Sequence, residues 1–122
     1  MRNFRAWDIY TDGMEFVKDI YLLTKELPKE EIYGLSSQIR RAVISIVNNM
    51  AEGAAKSSSK DFNRFLEMSL GSAFEVETLL KIIQDLDYGD TETIRQLIEK
   101  VKSLERRINA FIQKIKKEDI NV

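Results

Sequence analysis

The sequence predicts an all-α protein, an antiparallel up-down-up-down four-helix bundle that occupies residues 1–122 as one domain. Long stretches of the chain have the apolar periodicity of helices, and none alternates polar and apolar residues as a strand does. The single proline and two of the five glycines, Gly34 and Gly89, fall between those stretches. Long helices with short connections favour this architecture, and 122 residues is the length of one ordinary domain.

The first predicted helix, from about Trp7 to Leu27, has an unusually wide apolar surface. Its apolar residues occupy four of every seven positions, whereas a helix that faces one bundle core needs about three of seven. A monomer that exposed the remainder would tend to associate. The sequence therefore predicts that copies of this chain form a homo-oligomer.

The breaks between the helices contain recognisable start and stop residues. Pro28 and Gly34 separate helix one from helix two, which is predicted from about Ser36 to Ala55. Helix three is expected to end near Leu86, before the segment DYGDTET. The candidate N-terminal caps are Ser58 or Ser59 for helix three and Asp90 or Thr91 for helix four.

Helix four, predicted from about Thr91 to Lys117, has the clearest periodicity in the chain. Its apolar residues are separated alternately by three and four positions, and Ile98 and Ile112 widen the same face. Such spacing is typical of the core seam of a helical bundle. The residues of the predicted seam are Ile94, Leu97, Val101, Leu104, Ile108, Phe111 and Ile115.

Helices two and three are joined by a tight serine-rich turn, so we expect them to be antiparallel, with residues equidistant from the turn at one level. This places Ile46 level with Ser69 and Arg40 level with Glu75. Because Arg40 and Glu75 lie on otherwise apolar lines, we predict a partly buried ion pair between them. The alternative is a solvated pair at the rim of the bundle, which would contribute little to stability.

Helix two also has polar residues whose role the sequence leaves open. Asn49 follows Ile46 on a core line, where a polar residue commonly sets the register of helix pairing. A side-chain amide that contacts a ligand is the alternative. A separate polar stripe is expected to face either solvent or a subunit interface, and it consists of Arg41, Ser45, Asn48 and Glu52.

Several short motifs carry a family resemblance that extends over nearly the whole chain. They are GLSSQIRRA at the start of helix two, NMAEG at its end, and FNRFL followed by GS in helix three. The chain thereby resembles the bacterial four-helix-bundle family of proteins encoded in intervening sequences of large-subunit ribosomal RNA genes, often mislabelled as ribosomal proteins. The matching positions are Gly34, Leu35, Gln38, Arg40, Arg41, Ala42, Asn49, Ala51, Glu52, Gly53, Phe62, Arg64, Phe65, Leu66, Gly71 and Ser72.

The resemblance implies an assembly more firmly than a biochemical activity. Members of the family look like homopentameric barrels of four-helix protomers, so a pentamer is the favoured oligomer. A related protein, the accessory variability protein of diversity-generating retroelements, has that form and binds nucleic acid and a reverse transcriptase. Most members of the family have no established activity.

Gly71 lies off both core-facing lines of helix three, where a mid-helix glycine costs about 1 kcal/mol relative to alanine. A close approach by a helix of another subunit would explain the glycine. The alternative is a position that simply tolerates it. We expect Gly71→Leu to disturb assembly more than the folding of one chain.

The charges are unevenly distributed along the chain. Residues 91–117 contain eight basic and three acidic residues, a net charge of +5, whereas residues 57–90 contain three basic and seven acidic residues, a net charge of −4. Lys100, Arg107 and Lys114 recur every seven positions and form one row beside the seam. Repeated around a ring, such rows would create a positive surface for RNA or DNA, with RNA favoured. The other cationic candidates are Arg95, Lys102 and Arg106.

Two other readings of this surface remain open. One describes the basic residues of helix four as a solvated helix face whose lysines cover apolar stems. Alternatively, the oligomer is a scaffold that presents helix faces to a protein partner. Nucleic-acid binding should weaken steeply between about 50 and 200 mM salt, whereas an apolar protein interface should not.

The composition argues against catalysis and against a bound cofactor or metal. The chain has no cysteine and no histidine, which removes thiolate chemistry, the usual general base and the commonest transition-metal ligand. Its net charge is only −1. Acidic residues interrupt the first segment where a signal peptide would be apolar, and no stretch is long enough to span a membrane. We expect a cytoplasmic protein that is not an enzyme.

Overall fold

A computed structural model describes residues 2–120 of the chain, which form four long helices. The all-α prediction is confirmed, since no strand occurs within those residues. Two short 3₁₀ turns, Phe4–Ala6 and Lys29–Glu31, precede the first and second long helices. The long helices are α1 (Asp8–Thr24), α2 (Leu35–Ala54), α3 (Ser59–Asp85) and α4 (Thr91–Ile120).

The capping residues explain where α3 and α4 begin. The Ser58 hydroxyl accepts a hydrogen bond from the Asp61 backbone N–H at 3.1 Å, and the Asp90 carboxylate accepts one from the Thr93 N–H at 2.9 Å. These bonds satisfy backbone donors that have no partner within the first turn. Of the two caps considered for each helix, the first is therefore correct.

The four helices enclose one core in a cyclic order. Helix α1 packs against α2 and α4, and α3 packs against the same two helices. Consequently α2 and α4 lie diagonally opposite each other. Arg107 meets Asp12, and Lys100 meets Asp19, so α1 and α4 run in opposite directions, as an up-down-up-down bundle requires.

The pairing of α2 with α3 follows the predicted register. The buried Ser69 hydroxyl donates to the Ile46 carbonyl at 2.7 Å, which confirms that these two residues are level. Gly53 allows a close approach, because an added Cβ there would lie 2.9 Å from the Phe65 Cβ. A glycine near the end of α2 is thus explained by packing against α3.

The core contains the predicted seam of α4. Six of its seven residues are buried, and the seventh, Phe111, packs half-buried against Trp7 and Phe62 with ring centres 5.1 and 5.6 Å away. On α1 the wide apolar surface is only partly used. Its residues Met14 and Tyr21 are 45% and 36% exposed. The prediction that α1 has more apolar surface than one core consumes is confirmed.

Helix α1 ends at Thr24, three residues before the predicted end at Leu27. Pro28 explains the difference, because a proline disfavours helical geometry in the residue before it. Leu27 nevertheless remains buried. None of the helices within residues 2–120 is long and apolar enough to cross a membrane.

Candidate functional site

The cationic row on α4 is largely neutralised by α1. Arg107 forms an ion pair with Asp12 at 2.8 Å, and Lys100 forms one with Asp19 at 2.9 Å. Asp12 and Asp19 are seven residues apart, as are their partners, so the two antiparallel helices bring the pairs together at successive levels. The matched spacing was visible in the sequence, but it does not by itself show that α1 neighbours α4.

The row ends in an unneutralised cation at Lys114. In the antiparallel register set by the two ion pairs, the residue level with Lys114 is Arg5, which is also positive. Lys114 is exposed and forms no ion pair with any residue from 2 to 118. Positive charge therefore remains at the end of the bundle where α4 terminates.

The other candidates on α4 lie on its outer face and on its α3 side. Arg95 is bound by Glu92 through two hydrogen bonds of 2.6 and 3.0 Å. Lys102 and Arg106 have no ion-pair partner within the described part of the chain. Arg106 lines a groove of about 380 Å³ between α3 and α4. The residues that line this groove are Leu70, Phe74, Glu105, Arg106 and Asn109.

A pair of carboxyl groups also connects α3 and α4. Burial, together with the neighbouring Glu77 carboxyl, raises the pKa of Glu105 to about 7. The hydrogen bond from Glu105 lowers the pKa of Glu77, as does Lys81, whose ammonium lies 2.6 Å from Glu77. The two carboxyls therefore hold one proton near neutral pH. Our sequence analysis missed this pair, although Glu105 stands midway between Ile98 and Ile112 on the line that widens the seam.

The predicted ion pair between Arg40 and Glu75 is wrong. The Arg40 Nε donates to the Thr24 hydroxyl at 2.8 Å, and its guanidinium carbon lies 4.5 Å from the centre of the Tyr21 ring. Arg40 thus occupies the edge of α2 that faces α1, whereas Glu75 of α3 is exposed. Equal distance from the turn predicted that the two residues are level, but Arg40 lies on the side of α2 that faces α1, whereas Glu75 belongs to α3 on the other side of α2.

Asn49 is buried and satisfied within its own helix. Its amide donates to the Ser45 carbonyl at 2.9 Å and to the Ser45 hydroxyl at 3.0 Å. Ser72 of α3 lies 2.8 Å from the same hydroxyl, so this small network links α2 to α3. The role of Asn49 in setting register stays a prediction.

The rest of the polar stripe on α2 faces outward. Arg41, Asn48 and Glu52 are exposed, and they contribute to a shallow concavity of about 290 Å³. Gly71 of α3 is exposed as well, and an added Cβ would have no heavy atom within 4 Å. No neighbour in the described chain therefore requires a glycine at this position.

These features define a class of all-α four-helix-bundle proteins with a cationic fourth helix and a partly unused apolar surface. Residues 2–118 contain no group of histidine, cysteine or acidic side chains that could hold a metal ion. The chain belongs to the 23S rRNA-intervening sequence protein family, whose model matches residues 5–110.

A solved structure supports the same fold. The chain is similar to a protein of unknown function from the S23 ribosomal protein family of Bacteroides thetaiotaomicron, with a TM-score of 0.79 and 25% sequence identity. The similarity covers 85% of this chain and 97% of the other. No curated protein matches the sequence.

Proposed function

We propose that this protein is a non-catalytic homo-oligomer, a pentamer being favoured by the family resemblance, that binds nucleic acid through α4. RNA is the favoured ligand, and the cytoplasm is the expected location. One observation carries the proposal: exposed apolar residues of α1 and α3 flank α2, while the cationic helix α4 lies diagonally across the bundle. Association through the α2 side would therefore leave α4 accessible.

Part of the exposed apolar surface lies on both sides of α2. Tyr21 is next to Arg40 of α2, and Met14 is one heptad earlier on the same face of α1. On the other side, Met68 is 48% exposed and lies one turn from Ser72, which contacts α2. Such paired apolar edges are typical of protein interfaces rather than of a monomer surface.

The cationic surface consists of the basic residues of α4 that form no ion pair within the described chain. Of the eight basic residues between 91 and 117, four form ion pairs within the described chain. The other four are Lys102, Arg106, Lys114 and Lys117. Repeated by symmetry, these residues would form a positive surface that attracts phosphates without reading sequence.

Charge reversal at the end of α4 tests the proposal. The double variant Lys114→Glu with Lys117→Glu should weaken binding of a labelled RNA by about tenfold or more, because two phosphate-neutralising cations are lost. Fluorescence anisotropy at about 50 and 200 mM salt measures affinity and its salt dependence. Lys25→Glu with Lys29→Glu is the matched control, since it changes the net charge equally at two exposed positions outside α4.

Equal loss of affinity in both double variants would contradict a site on α4. Wild-type protein that binds no RNA at low salt would remove the nucleic-acid proposal altogether. A protein-interaction scaffold is then the second candidate, favoured by the pairing of Lys100 and Arg107 with α1 and by the concavity on α2. Binding to a protein partner through apolar contacts should change little over the same range of salt.

A further inference from the structure

Phe74 is an aromatic residue that the core does not use. It lies in the middle of α3 and is 52% exposed. The large aromatic cluster of the bundle is elsewhere, where Trp7, Phe62 and Phe111 pack together. An exposed phenyl ring on a rigid helix has little entropy to lose when it stacks against a flat ligand.

The groove beside Phe74 supplies complementary groups from two helices. Half-buried Leu70 contributes an apolar surface from α3, while Arg106 and Asn109 contribute a cation and an amide from α4, where the carboxyl of Glu105 also lines the groove. Arg106 is exposed and pairs with no carboxylate among residues 2–118. The groove volume of about 380 Å³ is within the range of small-ligand sites, roughly 300–1,000 Å³.

We propose that this groove binds an unpaired nucleotide of single-stranded RNA, with the base stacked on Phe74 and the phosphate held by Arg106. Asn109 supplies donors and an acceptor for the edge of the base. The inference rests on the proposed function and assigns the ligand site and its preference for unpaired RNA. Aromatic residues beside a cationic surface are the usual means of holding single strands, whereas bases inside a duplex are already stacked.

The test compares single-stranded and double-stranded RNA. The ligands are a labelled oligouridine of about 12 nucleotides and a labelled duplex of equal length. Fluorescence anisotropy would measure the affinity of each for wild-type protein and for Phe74→Leu. Leucine keeps apolar volume but removes the ring, so affinity for the single strand should fall about tenfold, while that for the duplex stays unchanged. Phe74→Tyr keeps the ring and should bind like wild type.

Tyr33→Leu is the matched control, because it also replaces an exposed aromatic ring by leucine but lies outside the four long helices, so it should bind the single strand like wild type. The proposal is overturned if Phe74→Leu and wild type bind the single strand equally, or if both RNA forms weaken together. It is also overturned if Phe74→Leu instead lowers the mass of the particle in light scattering, which would make Phe74 a subunit contact. If wild type loses affinity with Lys114→Glu and Lys117→Glu but not with Phe74→Leu, the proposed function stands and this site does not.

Discussion

At the scale of single residues, Glu105 shows how a polar group is accommodated at the edge of the core. It stands where the spacing of Ile98 and Ile112 would place another apolar side chain. One of its carboxyl oxygens is buried and accepts no hydrogen bond from the described residues. Burial disfavours the charged form, and the nearby Glu77 adds repulsion, so the folded protein retains a proton on this pair.

The raised pKa of Glu105 predicts a specific dependence of stability on pH. Between 4.5, the ordinary value, and about 7, the folded value, the folded state binds more protons than the unfolded state. The contribution of Glu105 to stability is therefore greatest below this range and is lost as the pH rises through 7. The lowered pKa of Glu77 acts only at lower pH, where its contribution disappears on acidification.

Replacement of Glu105 by glutamine, which stays neutral, should remove this dependence. We expect urea unfolding to show that Glu105→Gln gains stability relative to wild type as the pH is raised from 5 to 7.5. Glu99→Gln, at an exposed position on the same helix, is the control and should track wild type. A constant difference between Glu105→Gln and wild type at every pH would rule out a proton held by this pair.

At the scale of helices, the contact between α1 and α4 links stability to charge. Two acidic residues of α1 neutralise Lys100 and Arg107, which would otherwise extend the cationic surface of α4. Both pairs are partly exposed, so each contributes at most about 1 kcal/mol to folding. Their larger effect is on the electrostatic potential of the bundle surface.

Removal of these acids should strengthen RNA binding if α4 is the binding face. The double variant Asp12→Asn with Asp19→Asn releases two cations and should raise RNA affinity by about tenfold at low salt. The free energy of unfolding should fall by no more than about 2 kcal/mol for the two pairs together. Asp85→Asn with Asp87→Asn supplies a control with the same change of net charge, and an equal gain in that control would indicate a non-specific effect.

At the scale of the whole molecule, the bundle has two chemically different sides. The α2 side has exposed apolar residues contributed by α1 and α3, and the α4 side has cations left over from intramolecular pairing together with the exposed ring of Phe74. Within a single chain this leaves apolar side chains in water. A homo-oligomer would bury one side and multiply the charge of the other.

Gly71 distinguishes folding from assembly at this scale. Since its surroundings are open within the chain, Gly71→Ala should stabilise the protomer by about 1 kcal/mol through helix propensity. Gly71→Leu should also fold, as circular dichroism would show, but should lower the oligomer mass in light scattering if another subunit packs there. An unchanged mass would show that Gly71 is merely tolerated, and a wild-type protein that is a monomer at micromolar concentration would end the oligomer proposal.

The sequence alone determined the four helices, two of their caps and the buried face of α4, because periodicity and capping act over a few neighbouring residues. It also predicted the level of Ile46 with Ser69, which depends only on the turn between them. Tertiary structure alone decided which neighbour each helix edge meets. Thus Arg40 binds Thr24 rather than Glu75, and Lys100 and Arg107 meet acids of α1. Periodicity identifies the face of a helix that is buried, but the charges at its two edges find their partners only when the order of the helices around the core is set.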